Sequence, residues 1–164
     1  MEALDRGGNE IHVCFDGRCG REENLHSIWD TDIPHKINGL KHHLKHNEEK
    51  EPAAQWAANL FQTNRFRPLH AECSDIQNPL ECVMLWARET NRLNCDYVLK
   101  NGVSWLEDND LGGAYYVGSA PIVNEQIYKA GARLATWLNA LAAQRSLMGS
   151  LVTQGEKVRG SFEL

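Results

Sequence analysis

The residues whose types and spacing can do chemistry begin at Asn24. The stretch Asn24-Leu25-His26-Ser27-Ile28-Trp29-Asp30 reads as a helix start, with Asn24 as an N-cap that accepts from a backbone N–H of the first turn. His26 and Asp30 are four residues apart, so a helix places them on one face, one turn apart. A neutral imidazole and a carboxylate so placed can hold one divalent cation, and zinc suits that ligand pair. The same spacing also serves a simple i,i+4 ion pair, so the flanking sequence has to decide between them. His42 and His46 repeat the spacing as a rival pair. Lys41, Lys45 and the run Glu48-Glu49-Lys50-Glu51 surround that pair, and a solvated helix face is its stronger reading.

The elements around Asn24 follow from local patterning. Gly7-Gly8-Asn9 is a turn signal. Ile11, Val13 and Phe15 alternate with His12 and Cys14, which predicts a short strand, and Asp16-Gly17 is a hairpin turn dipeptide. Arg18 to Glu23 is expected as a polar loop before the capped helix, and that helix is expected to break near Pro34. A second helical segment is expected over roughly Lys36 to Glu49. From Pro52, the spacing of Trp56, Ala57, Leu60 and Phe61 predicts a helix with a core-facing stripe. Pro79 opens a long helix whose Leu80, Val83, Met84 and Ala87 share a face, and Asn101-Gly102 is expected to stop it. Val103 to Gly113 reads as a connecting segment, and Pro121 as the start of the last strong helix. Periodicity is lost after Ser146, so an irregular tail is expected over 146–164. The fold class read from these elements is mainly α, with a small β-hairpin near the N-terminus.

The chain has 164 residues, 42% of them hydrophobic and 24% charged, which suits one domain with a real core. Its formal net charge of −5 excludes the basic footprint that dominates phosphate-backbone binding. A chain of this charge that handles nucleic acid needs bound metal to supply positive charge. No apolar run approaches a membrane span, and Met1 to Gly8 has no apolar core of a signal peptide. The five cysteines form no zinc-ribbon spacing. Cys14/Cys19 and Cys73/Cys82 each flank a short polar segment that an oxidising compartment could close, leaving Cys95 over. Five reduced thiols of a cytosolic protein are the alternative.

Several ordered segments carry a family resemblance. Gly7-Gly8-Asn9, Phe15-Asp16-Gly17 and Asn24-Leu25-His26-Ser27-Ile28-Trp29-Asp30-Thr31 resemble the S1/P1 nuclease family. Downstream, Trp86 to Asn91 with Cys95, Asp110-Leu111-Gly112-Gly113-Ala114-Tyr115-Tyr116, and Pro121 to Asn139 extend the likeness. The resemblance implies a helical bundle of the phospholipase C/P1 nuclease type, truncated here, with residues 1–145 as the C-terminal part of a single domain. It implies a zinc-dependent endonuclease acting on single-stranded DNA or RNA, giving 5′-phosphorylated products, with 3′-nucleotidase activity as a further expectation. Family enzymes hold three zinc ions with nine protein ligands. The resemblance maps only the last two onto this chain, at His26 and Asp30, so at most one partial site is expected. The bridging carboxylate and the N-terminal tryptophan of the family are absent, as is a cysteine that there pairs with the position of Cys95. The expected partners are single-stranded nucleic acid or nucleotides and the missing N-terminal half, with no membrane. Secretion is implied by the family. Tyr115 and Tyr116 are candidates for gripping a base, with packing the stronger reading, while Asn9, Trp29, Trp56, Trp86 and Trp137 read as structural. A non-catalytic helical remnant is the competing function, and a related zinc phospholipase a more distant one. With half a bundle missing, the apolar stripes of the Ala53, Pro79 and Pro121 helices are expected to lie uncovered.

Overall fold

Alternation and the Asp-Gly dipeptide produce the hairpin at the start of the chain. The computed structural model describes residues 5–40, 47–65, 73 and 75–159, with side chains to residue 145. Strand β1 (His12–Phe15) pairs antiparallel with β2 (Arg18–Asn24), with Phe15 opposite Arg18 and Cys14 opposite Cys19. Asp16 and Gly17 both have positive φ, at 52° and 78°, the mirror-image turn that matches strand twist. Arg18 to Glu23, expected as a loop, therefore forms most of β2. Its polar composition misled because this face of a two-stranded ribbon meets solvent. A disulfide joins Cys14 to Cys19 across the turn.

The helical path after Asn24 does not break at Pro34. Helix α1 (Leu25–Ser27) runs into a first π-turn (Ile28–Asp32) and on into α2 (Ile33–Ile37). The Ile33 N–H bonds Ile28 O across that wide turn, and Pro34 falls in the first turn of α2, where its missing N–H is tolerated. The path ends at Asn38 and Gly39, with Gly39 at φ 65°, so the segment expected to be helical from Lys36 stops early. His42, His43 and His46 lie outside the described residues.

Helix α3 (Lys50–Asn64) and helix α4 (Pro79–Leu93) form where expected. α4 gives way to a second π-turn (Asn94–Val98), and the chain then turns through Gly102 at φ 83°. Val103–Asp108, expected as connecting chain, is a short helix, α5, because Leu106 can bury itself completely on the inner side. Helix α6 begins at Ala114 rather than Pro121 and runs to Arg159. Pro121 removes one hydrogen bond from within it, to the carbonyl of exposed Val117, where water can substitute. The backbone stays helical past residue 146, where an irregular tail was expected, because no proline interrupts it.

The chain divides into two compact units. One comprises Met1–Arg67 with Ala87–Tyr128, the other Pro68–Trp86 with Lys129–Leu164. The first holds the core: Ile11, Val13 and Phe15 of the hairpin segment meet Leu25, Ile28, Ile33, Leu106 and Leu111. In the second, Trp86 packs on Trp137 with ring centres 5.6 Å apart, Arg133 lies over Trp86, and the Trp137 indole N–H donates to Cys73 O at 3.1 Å. A disulfide joins Cys73 to Cys82.

The apolar stripes are open, as expected. α3 has no fully buried residue, and Phe61 on its predicted core face is 65% exposed. Leu80, Val83 and Met84 of α4 and Leu134, Leu138 and Leu141 of α6 are exposed as well. None of the described helices is long and apolar enough to cross a membrane.

Candidate metal centre

The turn before β1 and the start of α1 together build the site. Asn24 and Ser27 form a reciprocal cap: the Ser27 N–H donates to Asn24 Oδ1 at 2.8 Å and the Asn24 N–H to Ser27 Oγ at 3.1 Å. This cap starts the helix so that His26 and Asp30 share a face. His26 Nε2 lies 3.0 Å from Asp30 Oδ2, and both side chains are solvent-accessible.

The other ring nitrogen is also engaged. His26 Nδ1 lies 3.1 Å from Gly7 O, and a carbonyl only accepts, so Nδ1 carries the proton. Nε2 then faces a carboxylate oxygen, and two lone pairs at that distance need a positive charge between them. Either a second proton or a divalent cation satisfies the pair. Two donors at zinc bond lengths on a tetrahedral ion sit roughly 3.3 Å apart, close to the observed separation. A carbonyl fixing the distal N–H of a ligating imidazole is the usual support for such a ligand. The pair therefore fits zinc, but as two ligands only. Among the described residues no group of three or more His, Cys, Asp or Glu converges on a common point.

The turn that carries Gly7 is itself specified. The Asp5 carboxylate accepts from Gly7 N at 2.9 Å, and Asp5 O accepts from the N–H groups of Gly8 and Glu10. Gly8 has φ 91°, and a Cβ there would meet His26 N and Leu25 Cβ at 3.3 Å. Glycine is required by both conformation and closeness. Asn9 Nδ2 donates to Arg6 O at 2.9 Å, which is the local bracing role expected of it.

His26 and Asp30 line a cavity of about 670 Å³ whose wall is mostly apolar: Trp29, Leu93, Val98, Ile122 and Val123 contribute. Both π-turns reach this cavity, through Trp29 and Asp30 from the first and Asn94 and Val98 from the second. Trp29 packs edge-on against Tyr97 and Tyr115. Tyr115 is buried in that packing, in line with the structural reading of it. Burial pushes its phenol well above the ordinary value, against a lowering hydrogen bond from Trp29, and Tyr97 is raised by burial too. Both stay protonated at any physiological pH.

Spacing alone did not reveal two features near the site. The Asp110 carboxylate accepts from the backbone N–H groups of Asp16 at 2.9 Å, Gly17 at 2.6 Å and Gly112 at 2.8 Å, so it holds the hairpin turn from 93 residues beyond Gly17. Burial works to raise its pKa, but the three N–H donors and the nearby Lys36 charge outweigh burial and hold it below the usual carboxylate range. The second feature is a set of three ion pairs made by Arg18 and Lys36. Arg18 bridges buried Glu23 and buried Asp32 at 3.1 and 2.5 Å, and Lys36 meets Asp16 at 2.5 Å and donates to Gly112 O at 2.8 Å. Lys36 also stands over the Tyr116 ring, 4.6 Å from its centre, so Tyr116 is a packing residue here. The only signals for either feature were long-range pairings, which a linear pattern does not display. Cys95 is an exposed free thiol.

Comparison with known proteins comes to the same region of sequence space. A family described as S1/P1 nuclease matches residues 1–143. Nuclease S1 of Aspergillus oryzae is 33% identical over 158 residues, covering 88% of this chain and 49% of that protein. Nuclease P1 of Penicillium citrinum is 35% identical over 146 residues, covering 85% of this chain and 50% of that protein. Endonuclease 2 of Arabidopsis thaliana is 30% identical over 148 residues, 85% of this chain and 44% of that protein. The chain spans about half the length of the curated relatives it matches.

Proposed function

Because this chain belongs to the S1/P1 nuclease family, we propose that it forms part of a zinc-dependent endonuclease in which His26 and Asp30 are two ligands of one zinc ion. The reaction would be hydrolysis of phosphodiester bonds in single-stranded DNA or RNA to 5′-phosphorylated products, with 3′-nucleotidase activity at the same centre. The observation that carries this reading is His26 Nε2 set 3.0 Å from Asp30 Oδ2 while Nδ1 is held by Gly7 O.

This chain's own residues do three things in that scheme. Gly7 O accepts the Nδ1 N–H of His26 and so fixes the ring with Nε2 turned toward Asp30, the nitrogen that would ligate the metal. Asp30 brings a compensating negative charge from the same helix face. The apolar wall behind them offers unstacked bases a surface. The chemistry that zinc supplies when bound is an acidified water and positive charge against phosphate oxygens.

Two ligands hold zinc weakly, and catalytic sites normally offer three. The exposed apolar faces of α3, α4 and α6 therefore fit a partner that supplies further ligands and covers those helices: the portion of the protein found in the longer relatives. Two disulfides suit an oxidising compartment, and a secreted enzyme is the localisation proposed. The competing reading, a non-catalytic helical module, is favoured by the absence of a third ligand among the described residues.

The test is zinc-dependent cleavage of single-stranded DNA by this chain alone and by the chain extended with its in-frame upstream coding sequence. No turnover alone, and turnover in the extended protein that His26→Ala abolishes, is the expected result. Turnover that survives His26→Ala and Asp30→Ala would overturn the ligand assignment. An inactive extended protein that binds no zinc would favour the helical module.

A further inference from the structure

We propose that the Tyr115 hydroxyl is a positioning group: it ties the two π-turns together and, through Trp29, holds Asp30 in register with His26. The functional consequence rests on the zinc reading above; the structural role does not.

Asp30 lies within a turn closed by an i→i+5 bond from Ile33 N–H to Ile28 O. Such turns are rare, recur at functional sites, and need tertiary support to persist. Asp30 itself is a poor anchor, because its side chain is 68% exposed. Its neighbour Trp29 is the anchor. The Trp29 indole N–H donates to Tyr115 Oη at 3.0 Å, and the Tyr115 O–H donates to Val98 O at 3.2 Å. Val98 ends the second π-turn. One hydroxyl thus accepts from the first π-turn and donates to the second.

The arrangement is reinforced from its other side. Tyr97, in the second π-turn, donates its O–H to the Tyr115 carbonyl, and its ring stands edge-on to Trp29 at 6.2 Å between centres. Gly118, one turn along α6, lets Tyr97 approach: a Cβ there would come within 2.8 Å of the Tyr97 ring. No donor or acceptor other than the Tyr115 hydroxyl connects Trp29 to Val98 among the described hydrogen bonds. Phenylalanine at 115 keeps the ring contacts and removes both bonds at once, leaving a part-buried indole N–H and a carbonyl without their partner.

The experiment compares the chain with Tyr115→Phe and, as control, Tyr116→Phe, a ring that packs under Lys36 instead. The first readout is Zn2+ titration followed at the His26 ring resonances of histidine-labelled protein. The expected result is an apparent Kd raised about 5- to 10-fold in Tyr115→Phe and unchanged in Tyr116→Phe, a shift of the size that one lost positioning bond produces. The second readout needs no metal: exchange of the Ile33 amide, expected to be roughly tenfold faster in Tyr115→Phe. If wild-type His26 responds to zinc and Tyr115→Phe binds it equally well, the inference is overturned. If wild-type His26 does not respond to zinc, the zinc reading fails and Ile33 exchange decides: faster exchange sustains the positioning role, unchanged exchange overturns it. Should Tyr115→Phe not fold, Trp29→Phe cuts the same bond from its other end and must reproduce both effects for the inference to stand.

Discussion

Replacing Asp110 with asparagine tests how the hairpin before the candidate metal centre is held. In the wild type, Oδ1 accepts from Asp16 N and Gly112 N, and Oδ2 accepts from Gly17 N at 2.6 Å. Asparagine can keep one oxygen and two of those bonds, but its amide NH2 then meets the Gly17 N–H donor to donor. One charge-assisted bond is lost, about 1.5–3 kcal/mol in a dry setting. Asp110 is exposed, so water recovers part of that, and the expected loss is about 1–2 kcal/mol at neutral pH. In urea this lowers the midpoint by roughly 0.5–1 M. The pH dependence has a definite sign. The folded-state carboxyl is held below its ordinary value, so its contribution is present above the unfolded value near ~3.9 and is lost as pH falls through the folded value. Urea unfolding at neutral pH and at progressively lower pH measures both effects. The gap between wild type and Asp110→Asn should be full at neutral pH and close in acid, once the wild-type carboxyl protonates. Equal midpoints at neutral pH, or a gap that persists undiminished in strong acid, would refute the claim that the ionised carboxylate holds the turn.

Leu106 is fully buried in the first unit, so Leu106→Ala should cost about 2–5 kcal/mol, whereas Leu134→Ala at a 60% exposed position should cost under about 0.5 kcal/mol; thermal unfolding of both compares them directly. Removing the Cys14–Cys19 bridge by a double change to serine should destabilise the chain by less than about 2 kcal/mol, because the loop it closes is short and Asp110 already holds the turn; urea unfolding of the fully oxidised and mutant forms checks it. Gly8→Ala should disturb the site as well as the fold, since a side chain at φ 91° is strained and crowds the His26 backbone; a lower melting temperature together with a changed His26 ring spectrum is the expected signature.

Much of the local structure was legible because its causes are local. The Asp16-Gly17 turn, the Asn24 cap and the i,i+4 placement of His26 and Asp30 all follow from residues within one turn of each other, and each is found as expected. Where the reading slipped, a distant partner overrode the local signal. Arg18 to Glu23 looks like a loop until β1 supplies a strand to pair with. Pro34 looks like a breaker until the π-turn ahead of it rearranges the backbone. Val103 to Asp108 becomes helical because Leu106 is drawn into the core.

The motifs, their order and their likeness to a nuclease family were determined by the sequence alone, as were the two candidate ligands. Only the tertiary structure decided how those ligands are held. The carbonyl that orients His26 comes from Gly7, nineteen residues before it in the chain, and the hydroxyl that steadies the turn carrying Asp30 comes from Tyr115, eighty-six residues after Trp29. A ligand pair is set by helical periodicity, which any short window of sequence displays. The supports that orient the pair are hydrogen bonds between residues far apart in the chain, and those exist only once the core around Ile28, Leu106 and Tyr115 has closed.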